Sequence, residues 1–256
     1  MIKRIVLVLA TLLLAISAPV VSKAQQQEPP TYTMVSEWVI PRAQWAEYEA
    51  FTKKNTQPLF EKLQADGTIL SWGIYATVVH QEDRETHGSW FETASLANVQ
   101  KVLAELAKLA PNPIIINVKH HDFLMRAPLR RSRAASGSNG FVLVNTTQVL
   151  PGKGQEWREL FDKYNKPVYD ELVANGTISA YWVEVEQVHT NDPGLRHVVY
   201  MVPTADGLDK VGAAFQAAGQ KRGAEANQAV GRAFTDITVA GAHRDFFARI
   251  INYGQK

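Results

Sequence analysis

PLFEKLQADGTI, Pro58 to Ile69, and PVYDELVANGTI, Pro167 to Ile178, are two versions of one segment set 109 residues apart. Extended to His80 and His189, the match gives eight identities in 23 positions, with conservative swaps such as Phe60 for Tyr169 in between. Upstream, Pro41, Glu49, Phe51, Lys53 and Asn55 return as Pro151, Glu159, Phe161, Lys163 and Asn165 at a shift of 110. Downstream, His120, Asp122, Phe123 and Arg126 return as His243, Asp245, Phe246 and Arg249 at a shift of 123. The chain is therefore a duplication, and the second copy carries about 14 extra residues just before its last element.

Each copy predicts the same order of elements. An apolar strand (Val35 to Ile40; Phe141 to Leu150) ends at Pro41 or at Pro151-Gly152, where turn chemistry stops a ladder. A helix follows with apolar residues at three- and four-residue spacings: Trp45, Tyr48, Phe51, Leu59 and Leu63, then Trp157, Leu160, Phe161, Tyr164 and Leu172. Pro58 and Pro167 should kink or break it, and Asp66-Gly67 and Asn175-Gly176 should close it. Two β-rich runs come next, Thr68 to His80 with Thr86 to Thr93, and Thr177 to His189 with Arg196 to Val202. A second helix (Leu96 to Leu109; about Leu208 to Phe234) and a last strand (about Val118 to Arg126; Ala242 to Arg249) complete a βαββαβ unit. That order is the ferredoxin-like arrangement, a four-stranded antiparallel sheet with both helices on one face. Its other face is uncovered, and two copies in one chain can bury that face against each other.

The boundaries follow. Residues 1–24 read as a secretory signal, with Lys3 and Arg4 before the apolar run Ile5 to Ile16 and Ser22-Lys23-Ala24 at the cleavage position. That run is too short to span a bilayer. Residues 31–127 are the first repeat, 141–253 the second, and 128–140 (PLRRSRAASGSNG) a solvated linker whose Arg130, Arg131 and Arg133 offer at most an anion patch. Losing the signal removes Lys3, Arg4 and Lys23 from 27 basic residues and nothing from 25 acidic ones, turning a net +2 into −1. A nearly neutral mature chain gives no reason to expect nucleic acid or a membrane surface as a partner. The absence of cysteine excludes disulfides, thiolate metal sites, covalent c-type haem and a catalytic thiol. No phosphate-binding, dinucleotide-binding or serine-hydrolase motif is present either.

With this order of elements, the duplication, and the signatures PLFEKLQADGTILSW and PVYDELVANGTISAY, the chain resembles the dimeric α+β barrel superfamily in tandem-fused form, from about Thr31 to Tyr253. The resemblance implies an α+β fold in which two ferredoxin-like repeats form one intramolecular barrel. It implies function only broadly: the superfamily includes cofactor-independent monooxygenases, small isomerases and cyclases, haem proteins, and members without assigned activity.

Candidate chemistry lies on the strand Thr177 to His189, where alternate residues face opposite sides. The face bearing Trp72, Ile74 and Val78, or Tyr181, Val183 and Val185, is apolar in both copies and should pack on the helices. The opposite face then looks into the barrel, with Tyr75 and Thr77 in the first copy where Glu184 and Glu186 stand in the second, and Trp182 beside them. Two enclosed carboxyl groups on one face can serve as acid and base; the plainer alternative is that they face solvent or pair with arginine. The repeated His-x-Asp pairs, His120 with Asp122 and His243 with Asp245, read first as structural and second as a site. Thus Glu184, Glu186 and His243 are the candidate catalytic residues, and Tyr75, Trp182 and Thr77 the candidate ligand-binding ones. No metal site and no cofactor is expected. The expected function is an exported, periplasmic or secreted, barrel that binds a small, largely apolar ligand between its two sheets. The alternative is a cofactor-independent monooxygenase, isomerase or cyclase, and a haem-binding barrel or an envelope interaction module stay open. A further homo-oligomer is possible. The extra residues near Gly219 to Gly231 read as an extended helix or as a flap over the barrel mouth.

Overall fold

A computed structural model describes residues 29–256, so the signal-like segment 1–24 lies outside the described residues. The first repeat runs β1 (Thr31–Trp38), α1 (Trp45–Ala65), β2 (Ser71–Thr77), β3 (His87–Thr93), α2 (Leu96–Leu106) and β4 (His120–Ser132). A short β5 (Ala135–Gly137) precedes the second repeat: β6 (Phe141–Gln148), α3 (Gly154–Leu160), α4 (Lys166–Ala174), β7 (Ala180–Glu186), β8 (Leu195–Val202), α5 (Ala205–Arg222), α6 (Ala224–Thr235) and β9 (Arg244–Gln255). Both helices before the second strand close identically. Gly67 and Gly176 take positive φ, and the preceding Asp66 and Asn175 each accept a backbone N–H two residues on, at 2.9 Å. The two prolines act differently. Pro58 lies inside an unbroken α1, whereas Pro167 follows a π-helical turn, Phe161–Asn165, that separates α3 from α4.

The strands run β2-β3-β1-β4-β7-β8-β6-β9, and antiparallel pairing of β9 with β2 closes the ring into an eight-stranded barrel. Neither half closes alone, because β4 pairs with β7 and β9 with β2 across the halves. Outside, Trp72 and Ile74 pack with Phe60, Leu63, Val99 and Val102, while Tyr181 and Val183 pack with Phe161, Tyr169, Leu172 and Val211. Val78 departs from this face. It lies just past the end of β2 and is 40% exposed.

Two further expectations give way to the structure. The stretch 128–140 is not a free linker: Leu129 to Ser132 remain in β4 and pair with Val183 to Ala180, and Ala135 to Gly137 pair with β9. The open edge of β7 needs a ladder, and Pro128, which has no N–H to give, sits in the register shift between Arg126 and Leu129. Of the two readings of the extra residues, the helical one holds and the flap does not. These residues form the end of α5 and α6, joined at Gly223 with φ +85, and Phe234 and Ile237 pack into the outer core of the second half.

Candidate functional site

The barrel interior is built from facing positions on neighbouring strands. Gly73 on β2 stands opposite Trp90 on β3, and Tyr75 opposite Gly88. A Cβ on Gly73 would lie 1.9 Å from the Trp90 ring, and one on Gly88 2.4 Å from Tyr75, so each glycine is the slot its partner ring fills. The second half keeps this register with other residues: Trp182 faces Val199, and Glu184 faces His197. Where the first half is filled by an aromatic ring over a glycine, the second half carries an acid opposite an imidazole.

Inside lies a cavity of about 550 Å³. Val35, Trp90, Met125, Val142, Val199 and Phe246 give it apolar walls, and Arg84, Glu85, Arg244 and Asp245 also line it. Its size and character are those of a small-molecule pocket. Glu37 is 8% exposed and accepts the Tyr75 hydroxyl at 2.6 Å. Burial raises its pKa to about 7, against the opposing effect of that hydrogen bond. Glu184 is 6% exposed and accepts Thr33 Oγ1 at 2.6 Å across the barrel. Burial, and then the charge of Glu92, raise its pKa to about 7, with the threonine bond opposing. His197 Nδ1 meets Thr146 Oγ1 at 2.9 Å. Burial lowers the pKa of this histidine to about 4, so the ring is neutral at pH 7. Its Nε2 is buried without a hydrogen-bond partner among the described residues.

A polar cluster stands beyond the cavity floor. Glu92, fully buried, accepts Thr31 Oγ1 at 2.5 Å, Ser71 Oγ at 2.8 Å, Trp182 Nε1 at 3.2 Å and Arg130 Nε at 2.9 Å. Four donors hold this carboxyl group, and two of them, Arg130 and Trp182, come from the end of β4 and from the second repeat. Arg130 is therefore paired with a buried carboxyl group, not part of a solvated patch.

Of the residues singled out from sequence, Glu184, Tyr75, Trp182 and Thr77 line the cavity. Trp182 uses its N–H on Glu92, and Thr77 Oγ1 donates to the Glu85 carbonyl at 3.1 Å. The structure does not bring Glu186 and His243 to them. Glu186, the last residue of β7, accepts the backbone N–H groups of Thr190 at 3.0 Å and Asn191 at 3.3 Å, together with the Asn191 side chain. A turn leaves N–H groups without ladder partners, and this carboxylate satisfies them. His243 has a side chain 53% exposed and does not line the cavity; it lies 3.3 Å from Asp245 and 2.7 Å from Asn145 Nδ2. Trp38 packs outside the barrel with Ile40, Tyr48 and Ile114.

Glu37, Glu92 and His197 escaped the sequence reading. Glu37 alternates with Val35 and Thr33 on β1, and His197 with Val199 and Met201 on β8, so the period of two was the available signal. The repeat hid it, because His197 aligns with Gly88 at the 109-residue shift and Glu92 with Met201. The two copies are compared only along β2 and β7, where Glu184 differs from Tyr75, and not along β1, β3 and β8.

No protein-family model and no curated protein matches the chain. Solved structures do. A proposed monooxygenase of Fusobacterium nucleatum aligns with a TM-score of 0.59 at 10% identity, over 89% of this chain and 94% of that one. An anthrone oxidase-like protein aligns with a TM-score of 0.53 at 13% identity, over 89% and 93%. A haem-binding protein of Thermus thermophilus aligns with a TM-score of 0.52 at 11% identity, over 86% and 90%. At such identities the likeness is one of fold, and together with the closed ring of eight strands it shows this chain to have the dimeric α+β barrel fold with both halves on one polypeptide.

Proposed function

We propose that the barrel binds a small, largely apolar molecule and exchanges protons with it through Glu184 and Glu37. The observation that carries this reading is the pair of buried carboxyl groups on the wall of an otherwise mainly apolar cavity, each with its pKa brought to about 7. At that pKa one carboxylate can take a proton from a bound molecule while the other, as the acid, returns one elsewhere on it. Such an isomerisation needs no further reactant; the same deprotonation followed by attack on dioxygen would be a cofactor-independent oxygenation. The named monooxygenase and anthrone oxidase-like neighbours support chemistry of that kind. The signal-like segment 1–24 supports an exported protein.

Haem is the second reading, because His197 Nε2 is an imidazole nitrogen on the cavity wall with no partner among the described residues, and one neighbour of this fold is a haem-binding protein. His197 would hold the iron there, which would supply redox chemistry. Glu184, opposite His197, and Glu37 favour the uncharged organic ligand instead, since two carboxyl groups on the cavity wall oppose a guest that carries carboxylates of its own. Native mass spectrometry and the visible spectrum of the purified protein test both. A colourless protein carrying or taking up a small organic molecule, with uptake abolished in Glu184→Gln/Glu37→Gln or turnover lost, fits the proposal. A Soret band, or no uptake at all, breaks it.

A further inference from the structure

Glu37, Glu184 and His197 are three buried or largely buried polar side chains among those lining the cavity, and two are satisfied internally. Glu37 is joined to Tyr75 and Glu184 to Thr33, each at 2.6 Å. The third is not. His197 lines the cavity and is held at Nδ1 by Thr146, while its buried Nε2 meets no donor or acceptor among the described residues. A buried polar atom left in this state costs on the order of 1–3 kcal/mol, which a bound molecule can recover by supplying the missing partner.

Resting on the proposed role of the cavity, we infer that His197 Nε2 is its ligand-recognition atom, that Thr146 is its positioning residue, and that the ligand is an uncharged, largely apolar molecule carrying a hydroxyl group. A hydroxyl meets the imidazole in either neutral tautomer. If Nδ1–H donates to Thr146, Nε2 accepts the ligand O–H; if the Thr146 hydroxyl donates to Nδ1, Nε2–H donates to the ligand oxygen. The apolar body of the ligand then lies against Trp90, Met125, Val199 and Phe246. An uncharged ligand follows from the mainly apolar lining, against which a charged one would be desolvated. The repeat sharpens the assignment. The position equivalent to His197 in the first half is Gly88, covered by the Tyr75 ring, so the duplication leaves one such half-site open and fills the other.

The test uses 2-naphthol and 2-methylnaphthalene, which match in shape and differ in the hydroxyl, titrated into the full chain by calorimetry. Wild type should bind 2-naphthol about tenfold more tightly, as expected for one hydrogen bond in a dry site. His197→Phe should bind the two alike. Thr146→Val should lose part of the preference, and the ¹⁵N spectrum of His197 should then show mixed tautomers where wild type shows one. Should His197→Phe fail to fold, the wild-type ¹⁵N signal of His197 Nε2 must move when 2-naphthol is added. Equal binding of both probes to wild type, a preference that survives His197→Phe, or an unmoved Nε2 signal overturns the inference and leaves the cavity as a binding site. No binding of either probe overturns the cavity reading itself.

Discussion

The two halves share a strand register and fill it in opposite ways. On β2 and β3, rings lie over glycines, Trp90 on Gly73 and Tyr75 on Gly88; on β7 and β8 the same positions hold Trp182 with Val199 and Glu184 with His197. The backbone order was duplicated, and on these four strands the interior was then divided into one side that is packed and one that presents titratable groups. Glu92 extends the contrast. Its equivalent is Met201, so the first half supplies the buried carboxyl group on which Trp182 of the second half and Arg130 at the end of β4 are anchored. A duplicated barrel can thus keep one half as scaffold while the other diverges, since an interior side chain faces the opposite wall as closely as its own.

The largest effect should come from making the first half like the second at the anchor. Glu92→Met leaves the Arg130 guanidinium without its buried partner and should cost about 3–5 kcal/mol in chemical denaturation. A loss below about 1 kcal/mol would mean that the two halves do not depend on that carboxylate. Next is Gly73→Ala, whose Cβ would collide with Trp90; about 3 kcal/mol should be lost. A double-mutant cycle with Trp90→Val, the residue found in the second half, should show coupling above about 1 kcal/mol, and simple additivity would count against the ring-over-glycine packing. A smaller effect, of opposite sign, belongs to Glu184→Gln. The folded carboxyl group holds its proton up to about pH 7, whereas the unfolded chain releases it near its ordinary 4.5, so wild type loses stability as the pH rises from 4.5 through 7. The glutamine variant escapes that loss. It should be more stable than wild type by about 2 kcal/mol at pH 8, with the difference shrinking below about 0.5 kcal/mol at pH 4.5. A variant less stable than wild type at pH 8 would make Glu184 a structural anion.

The fold was legible because it is written twice. The Asp66-Gly67 and Asn175-Gly176 helix closures, the alternation along β2 and β7, and the apolar faces under the helices all recur, and one copy checks the other. Pro128 to Ser132 was not legible as strand, because arginine and serine next to a proline read as loop until the open edge of β7 is there to pair with. The site divides the same way. Strand alternation was enough to place Tyr75, Trp182, Thr77 and Glu184 inward, but it extended the face one step too far, to Glu186, because where a strand stops and a turn begins to claim a carboxylate depends on N–H groups that only the folded turn exposes. Glu37 and His197 have no counterpart of their own kind in the other copy, and what makes each of them notable, burial beside a cavity, is a tertiary property.

The account stands on the claim that the binding cavity exists because the second half departs from the first, and one variant tests it directly. Glu184→Tyr with His197→Gly transplants the Tyr75–Gly88 pair into β7 and β8, placing a ring over a glycine on that side of the barrel as well. Circular dichroism and cooperative unfolding establish that the variant is folded, and 2-naphthol is then titrated by calorimetry beside wild type. The account predicts a folded protein whose affinity has dropped at least about tenfold; a folded variant that binds 2-naphthol as wild type does would contradict it.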